Sequence, residues 1–173
     1  MISLSPPTIC NSADYRWYLA RHITTGKKRE ALFGWLSDRD MYPWPPLHIR
    51  MLRRTDTVFS FRRQIAPVFP GYFFLKADFN IHSVSAIRQH SAFIDFVRFG
   101  NRIPEVHNSI VDGLMMIYPD PAPDSGVCEA LDTASDRLTP AQYQYLLHLE
   151  DLPRPVSRIS MLLELVQKGL PEQ

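Results

Sequence analysis

The sequence predicts a mixed fold of α-helices and β-strands, α/β in the broad sense and α+β in the strict one. In it, an antiparallel sheet is flanked by helices, and a C-terminal α-helical hairpin packs on the sheet. Two observations indicate this fold. Strand-like and helix-like segments alternate through the first two thirds of the chain with short links between them. The last third has two helical patterns, and no glycine stands between Gly126 and Gly169 to form the turns of a small barrel.

The stretch 68–75, VFPGYFFL, predicts a turn that leads into a buried strand over residues 71–77. Pro70 fixes its own φ, and Gly71 accepts backbone angles that are closed to other residues. The aromatic run that follows is typical of a strand buried on at least one face. Because side chains alternate along a strand, Tyr72 and Phe74 share one face.

The other elements of the body follow from periodicity, prolines and candidate helix caps. In chain order we expect a strand at 16–21, a helix at 27–38, an extended segment at 41–46, a β-hairpin with strands at 47–53 and 57–65, a helix opening near Asn80, a strand at 94–98 and a helix capped by Asn108.

The tail predicts two helices, over residues 139–152 and 155–168. Thr139 and Gln142 form a capping box, with Pro140 at the first helical position. A period of two also runs from residue 159 to 165, so a strand remains an alternative, but the capping and the missing glycines favour helices. The apolar faces expected to cover the body are formed by Leu146, Leu147, Ile159, Leu162, Leu163 and Val166.

The charge divides between the two parts of the chain. Residues 1–118 carry 15 basic and 9 acidic residues, a net +6, and residues 119–173 carry 4 basic and 9 acidic residues, a net −5. A basic body favours a nucleic-acid partner, and an acidic segment could pair with that body. An ordinary surface whose charges happen to segregate is the alternative.

Several function classes are disfavoured by what the sequence does not contain. It has no run long and apolar enough for a membrane span and no signal-peptide pattern, so we expect a cytoplasmic protein. It has two cysteines, six histidines without ligand spacing, and none of the common catalytic motifs. We therefore expect a protein that binds rather than an enzyme, without a metal or a cofactor.

Three motifs, in order, resemble the N-terminal domain of the NusG family of transcription elongation factors. They are WYL at 17–19, FPGYF at 69–73 and FVRFG at 96–100. The likeness is closest to the specialised RfaH-like branch and covers roughly residues 16–119. The segment RISMLLEL at 158–165 is similar to the C-terminal segment of that branch, which is known both as a helical hairpin and as a KOW-type barrel.

The resemblance implies partners and sites. Tyr72, Phe74 and Phe99 would bind the clamp helices of the largest subunit of bacterial RNA polymerase, and Ser83 and Ser85 would face the gate loop of its β subunit. From pattern alone, the three aromatic residues are more readily explained as core. The residues implied for the single-stranded non-template DNA are Arg21, Lys27, Lys28, Arg29, Arg88 and His90.

The chain departs from the RfaH-like pattern beside Gly26. Thr24 and Thr25 stand where that branch has a basic pair, and the basic cluster here follows the glycine. The DNA element that would be recognised is therefore left open. A stand-alone nucleic-acid-binding module that works without polymerase is the competing interpretation, because the predicted hairpin is rich in arginine: Arg50, Arg53, Arg54, Arg62 and Arg63.

These expectations divide the chain into four parts. Residues 1–14 form a loose N-terminus, 15–118 the NusG-like body, 119–137 a linker and 138–170 the helical hairpin. We expect a monomer that suppresses pausing and termination of transcription. We also expect the hairpin to cover the aromatic residues and so to autoinhibit the free protein.

Overall fold

The computed structural model describes residues 14–53, 61–119 and 138–171, with side chains described at all of these except 50–53 and 61–63. These residues form a mixed α+β fold with two antiparallel sheets and five helices. None of the helices in these ranges combines the length and apolar character needed to cross a membrane. The predicted N-terminal segment falls outside the described residues except for Asp14, and the predicted linker except for Pro119.

The main sheet is built around the first strand of the chain. Strand β1 (Arg16–His22) pairs antiparallel with β5 (Tyr72–Ala77) on one side and with β6 (Phe93–Phe96) and β7 (Glu105–Val106) on the other. Strand β2 (Tyr42–Trp44) adds to the free side of β5 and so forms an edge. The predicted order of body strands is confirmed, and β7 is an additional short strand.

Strand β2 forms at the edge of the sheet although it contains a proline. Pro43 lies within β2, where its missing N–H costs nothing if that side of the strand has no partner. The sequence analysis predicted an extended path here, and the extended chain pairs with β5. Gly71, the residue before β5, has a φ of +83°, a conformation that favours glycine. This agrees with the turn predicted at this position.

Two helices cover one face of the main sheet. Helix α1 (Lys28–Ser37) buries Leu32 and Leu36, and the short α2 (Val84–Ile87) buries Ile87. They pack over the side chains that β1 and β5 turn to this face, namely Tyr18, Ala20, Phe73, Leu75 and Ala77. We call this the α1 face.

The expected start of α2 is corrected by its capping. Asn80 does not cap the helix but lies in a turn before it, where its N–H donates to the Asp78 carboxylate over 2.8 Å. Ser83 is the N-cap instead, and its hydroxyl accepts from the Ala86 N–H. Ile81 consequently precedes the helix and is exposed.

The opposite face of the sheet carries α3 (Asn108–Ile117) and the two tail helices. The N-cap of α3 is His107 rather than Asn108, with its ring Nδ1 accepting from the Ser109 N–H. Helices α4 (Pro140–Asp151) and α5 (Pro155–Lys168) confirm the predicted hairpin, and the capping box at Thr139 and Gln142 is formed. We call this the tail face.

A separate two-stranded sheet, the β3–β4 ribbon, is formed by β3 (Leu47–Arg53) and β4 (Phe61–Pro67). It confirms the predicted hairpin, although β4 ends two residues later than expected and the turn lies outside the described residues. Ile49 and Ile65 are cross-strand partners, and both are largely exposed. His48, one position from Ile49 and so on the opposite side, lies edge-on to Tyr118.

Candidate functional site

The three aromatic residues predicted for protein binding belong to one apolar cluster on the tail face. Phe74 is fully buried, and its ring stacks on Trp44 with centroids 5.8 Å apart. Tyr72 and Phe99 are only partly buried. The structure therefore separates one core residue, Phe74, from two residues at the surface of the cluster.

The tail helices close this cluster from the solvent side. Its buried tail residues are Leu146, Leu149, Leu162, Leu165 and Val166. Of the residues predicted to face the body, Ile159 and Leu163 pack against the cluster while partly exposed, and Leu147 is not part of it. Leu146, Leu162 and Val166 were predicted correctly, whereas Leu149 and Leu165 were missed, because helical spacing alone does not fix which side of the apolar face packs on the body.

Arg158 anchors the tail to the strand turn and was also missed. It is 4% exposed. Its Nε donates to the Val68 carbonyl over 2.9 Å, and its terminal NH1 donates to the Leu152 carbonyl over 3.0 Å. The first bond reaches the residue before the 69–71 turn, and the second holds the end of α4. An arginine four residues before Leu162, on the apolar side of α5, was the available signal.

Tyr118 is a second polar group enclosed by this interface. Burial raises the pKa of its phenol, and the nearby Glu150 carboxylate raises that pKa further. The phenol is thus neutral at physiological pH.

Helix α3 meets α4 at a glycine. A Cβ built at Gly113 would lie 2.5 Å from Cδ1 of Leu146 and 2.7 Å from Cδ1 of Leu138. The absence of a side chain here lets the tail approach α3 closely. Gly113 was not predicted from the sequence, since a glycine within a helical pattern does not indicate which residues it faces.

A cleft of about 440 Å³ runs along the junction of body and tail. Phe99 and Val166 line it on opposite sides, together with Arg102 and Glu105. Glu105 is held by an ion pair with Arg16 at 2.5 Å. Phe99 is therefore reachable from solvent at one edge of the covered surface.

The residues predicted for DNA binding divide between the two faces of the sheet. Lys27 and Lys28 lie at the start of α1, exposed, with Arg29 one residue further and partly buried. Arg88 follows α2 and lies 3.7 Å from the Asp95 carboxylate, and the ring of His90 lies 5.3 Å from that of Trp35. These residues belong to elements of the α1 face, but Arg21 does not.

Arg21 lies with the aromatic residues instead. It is the register partner of Tyr72 across β1 and β5, and its guanidinium carbon lies 5.6 Å from the centre of the Tyr72 ring. A cleft of about 340 Å³ includes both residues, with Ile94 at its edge. A neighbouring cleft of about 270 Å³ shares Tyr72 and reaches Arg29.

His22 lies between these two clefts and is buried. Its Nδ1 lies 2.9 Å from the Ile23 carbonyl, which can only accept, so Nδ1 carries the proton and Nε2 is left unprotonated. Burial lowers the pKa of this imidazole, and the positive charge of Arg29 lowers it further. His22 is therefore neutral at pH 7 and contributes no charge to the basic surface.

Ser83 and Ser85, predicted for a second polymerase contact, lie at the start of α2 and are both exposed. The Ser83 hydroxyl oxygen already accepts from the Ala86 N–H over 3.1 Å, but its own proton remains free to be donated. No group of three or more potential metal ligands comes together in the described ranges. What these surfaces offer is apolar, aromatic and cationic contact.

Neither the comparison with protein-family models nor the search of curated proteins finds a match for this chain. Its function must therefore be inferred from the geometry described above.

Proposed function

We propose that this protein is an RfaH-like member of the NusG family, a transcription elongation and antitermination factor. It binds the clamp helices of bacterial RNA polymerase and the single-stranded non-template DNA, and it thereby suppresses pausing and termination. It acts in the cytoplasm as a monomer and by binding alone, without catalysis. One observation carries the proposal: an aromatic surface on the sheet is covered by a helical hairpin from the same chain.

The arrangement of that surface supports protein binding over a purely structural role. Tyr72 and Phe99 retain partial exposure, whereas the other aromatic residues that the body contributes to the cluster are buried: Trp17, Trp44, Phe69, Phe74 and Tyr118. Aromatic residues at the rim of an apolar patch are typical anchors of protein interfaces. A continuous apolar surface of this kind on a soluble domain needs either a partner or a cover.

The tail supplies such a cover, which supports autoinhibition. Helices of 12 and 14 residues are marginal on their own in water, so their stability depends on the surface beneath them. Polymerase would compete with them for the same apolar side chains. A partner shifts the equilibrium between closed and open forms only by its differential affinity for the two.

The aromatic contact can be tested with Tyr72 and Phe99. Each change to Ala should weaken binding to RNA polymerase by more than about 1 kcal/mol, the size expected for an aromatic anchor. Binding would be measured by titration of labelled protein with polymerase. Phe74 is a poor choice, because removing so buried a ring costs about 3–5 kcal/mol of folding free energy.

Tyr42 provides the matched control for this experiment. Tyr42 is 50% exposed, and its cross-strand partner on β5 is Lys76 rather than Phe74. Tyr42→Ala should leave polymerase binding unchanged. Wild-type affinity in both Tyr72→Ala and Phe99→Ala would reject the polymerase assignment.

The β3–β4 ribbon favours the second candidate function, a nucleic-acid-binding module independent of polymerase. Over the described residues the ribbon pairs with no strand of the main sheet, and its register brings Arg50, Arg53, Arg62 and Arg63 within one short two-stranded element. A two-stranded ribbon of this kind can enter the major groove of a duplex. In this second candidate function the ligand of the ribbon is duplex DNA rather than an exposed single strand.

Salt dependence distinguishes the two nucleic-acid surfaces. Affinity for a single-stranded oligonucleotide should fall steeply with salt, and replacing Lys27, Lys28 and Arg29 by Ala should reduce the slope by about 2, at roughly 0.7 per lost phosphate contact. Replacing Arg62 and Arg63 by Ala is the control and should leave that slope unchanged. The reverse result would assign DNA binding to the ribbon.

A further inference from the structure

Arg21 differs in position from the other basic residues grouped with it. Along β1 the side chains of Trp17 and Leu19 belong to the tail-face cluster, and Arg21 continues that alternation. The other basic residues lie in or next to α1 and α2, the helices of the α1 face, although Arg29 lines a cleft with Tyr72 and Arg88 contacts Asp95 opposite Arg21. Arg21 therefore extends the aromatic surface rather than the basic one.

The surroundings of Arg21 have the chemistry of a protein interface. Its guanidinium lies over the Tyr72 ring, and Ile94, 42% exposed, lines the same cleft. In the described part of the chain Arg21 makes no ion pair, and the nearby Asp95 is engaged by Arg88 and Arg98. A cation beside an aromatic ring and an apolar side chain suits a partner helix that presents a carboxylate among apolar groups.

The position of Arg21 also determines when a partner can reach it. Arg21 is exposed and its cleft is open while the tail is docked. A contact that is available in both closed and open forms cannot drive release of the tail, since it favours neither. Such a charge contributes instead to the rate of encounter, and its effect weakens with salt.

We infer that Arg21 belongs to the protein-binding surface, where it selects a carboxylate on an acidic partner helix and speeds the first encounter with the closed protein. This inference rests on the proposed function, because the partner is the surface that also takes Tyr72. Arg21 is thereby reassigned from the residues predicted to bind DNA to those proposed to bind RNA polymerase.

The test uses the full-length chain, its Arg21→Ala and Arg21→Glu variants and, as a control in α1, Lys28→Ala, because Lys28 is exposed there. Two probes are used separately: RNA polymerase free of nucleic acid, and a single-stranded DNA oligonucleotide. Arg21→Ala should slow association with polymerase by about 3- to 10-fold at low salt, and less at high salt. Arg21→Glu should slow it further, and neither variant should change affinity for the oligonucleotide.

Lys28→Ala should show the opposite pattern, with weaker oligonucleotide binding and unchanged polymerase association. Loss of oligonucleotide affinity in Arg21→Ala with unchanged polymerase association would overturn the inference and return Arg21 to the nucleic-acid surface. If Tyr72→Ala weakens polymerase binding and Arg21→Ala does not slow association, only the inference about Arg21 fails. If Tyr72→Ala also has no effect, the proposed function fails as well.

Discussion

At the scale of single residues, Arg158 links three segments of the chain through one side chain. Its guanidinium bonds to a carbonyl before the β5 turn and to another at the end of α4, and it belongs itself to α5. A buried charge of this kind is tolerated because carbonyl oxygens around it replace the lost water. Undocking α5 would break the bond to Val68, so the closed form depends on it.

We expect Arg158→Met to lower the free energy of unfolding by about 2 kcal/mol, because it removes hydrogen bonds from a charged donor and leaves their acceptors enclosed. Arg154, exposed at the N-cap of α5 and without a side-chain cap bond, provides the control. Arg154→Ala should change stability by less than about 0.5 kcal/mol. Urea denaturation of both variants measures this, and equal stability would show that Arg158 does not hold the tail.

At the scale of elements, the contact between α3 and α4 depends on the missing side chain at Gly113. Leu146 and Leu138 occupy the space where a Cβ would stand. Gly34 in α1 is the contrasting case, because nothing lies within 4 Å of a Cβ built there. The same substitution should therefore have opposite effects in the two helices.

Gly34→Ala should stabilise the protein by up to about 1 kcal/mol, the difference in helix propensity. Gly113→Ala should instead destabilise it by about 1–3 kcal/mol, since two packed leucine side chains must move. Amide hydrogen exchange in α4 should accelerate in Gly113→Ala only. Unchanged exchange there would mean that α4 does not rest on α3 at this point.

The elements themselves were largely predictable, because strands and helices carry their own local signals. The tail helices were found from the capping box and from the helical spacing of the apolar residues, both of which act within a few residues. The true caps Ser83 and His107 were not chosen, since neighbouring asparagines carry the same signal. The pairing of Arg21 with Tyr72 and the burial of Arg158 depend on contacts between residues 51 and 90 positions apart, which no local pattern reveals.

At the scale of the whole molecule, the two faces of the main sheet are covered by different parts of the chain. The α1 face is covered by α1 and α2, and the tail face is covered by α3 and the two tail helices. The exposed Lys168–Glu164 ion pair lies within α5. Docking of the tail therefore relies mainly on apolar burial, despite the opposite net charges of the two parts.

Deleting residues 126–173 should increase affinity for RNA polymerase by at least about tenfold without any DNA, because apparent affinity rises as the fraction of open molecules rises. Raising the salt concentration should not reproduce this increase in the full chain, since salt does not screen the apolar contacts through which the tail packs on the body. Polymerase titrations of the two proteins provide the measurement. Equal affinities would exclude autoinhibition by the tail.

The order of the body and its cover along the chain has a consequence during protein synthesis. Every strand of the main sheet, and α3 with it, is translated before the first residue of α4. At 5–20 residues per second, the roughly 50 residues from the end of α3 to the end of α5 take about 3 to 10 s. In each new chain, therefore, the residues of the aromatic surface are synthesised before the tail helices that cover them. The rate of translation determines how long that surface lacks its cover.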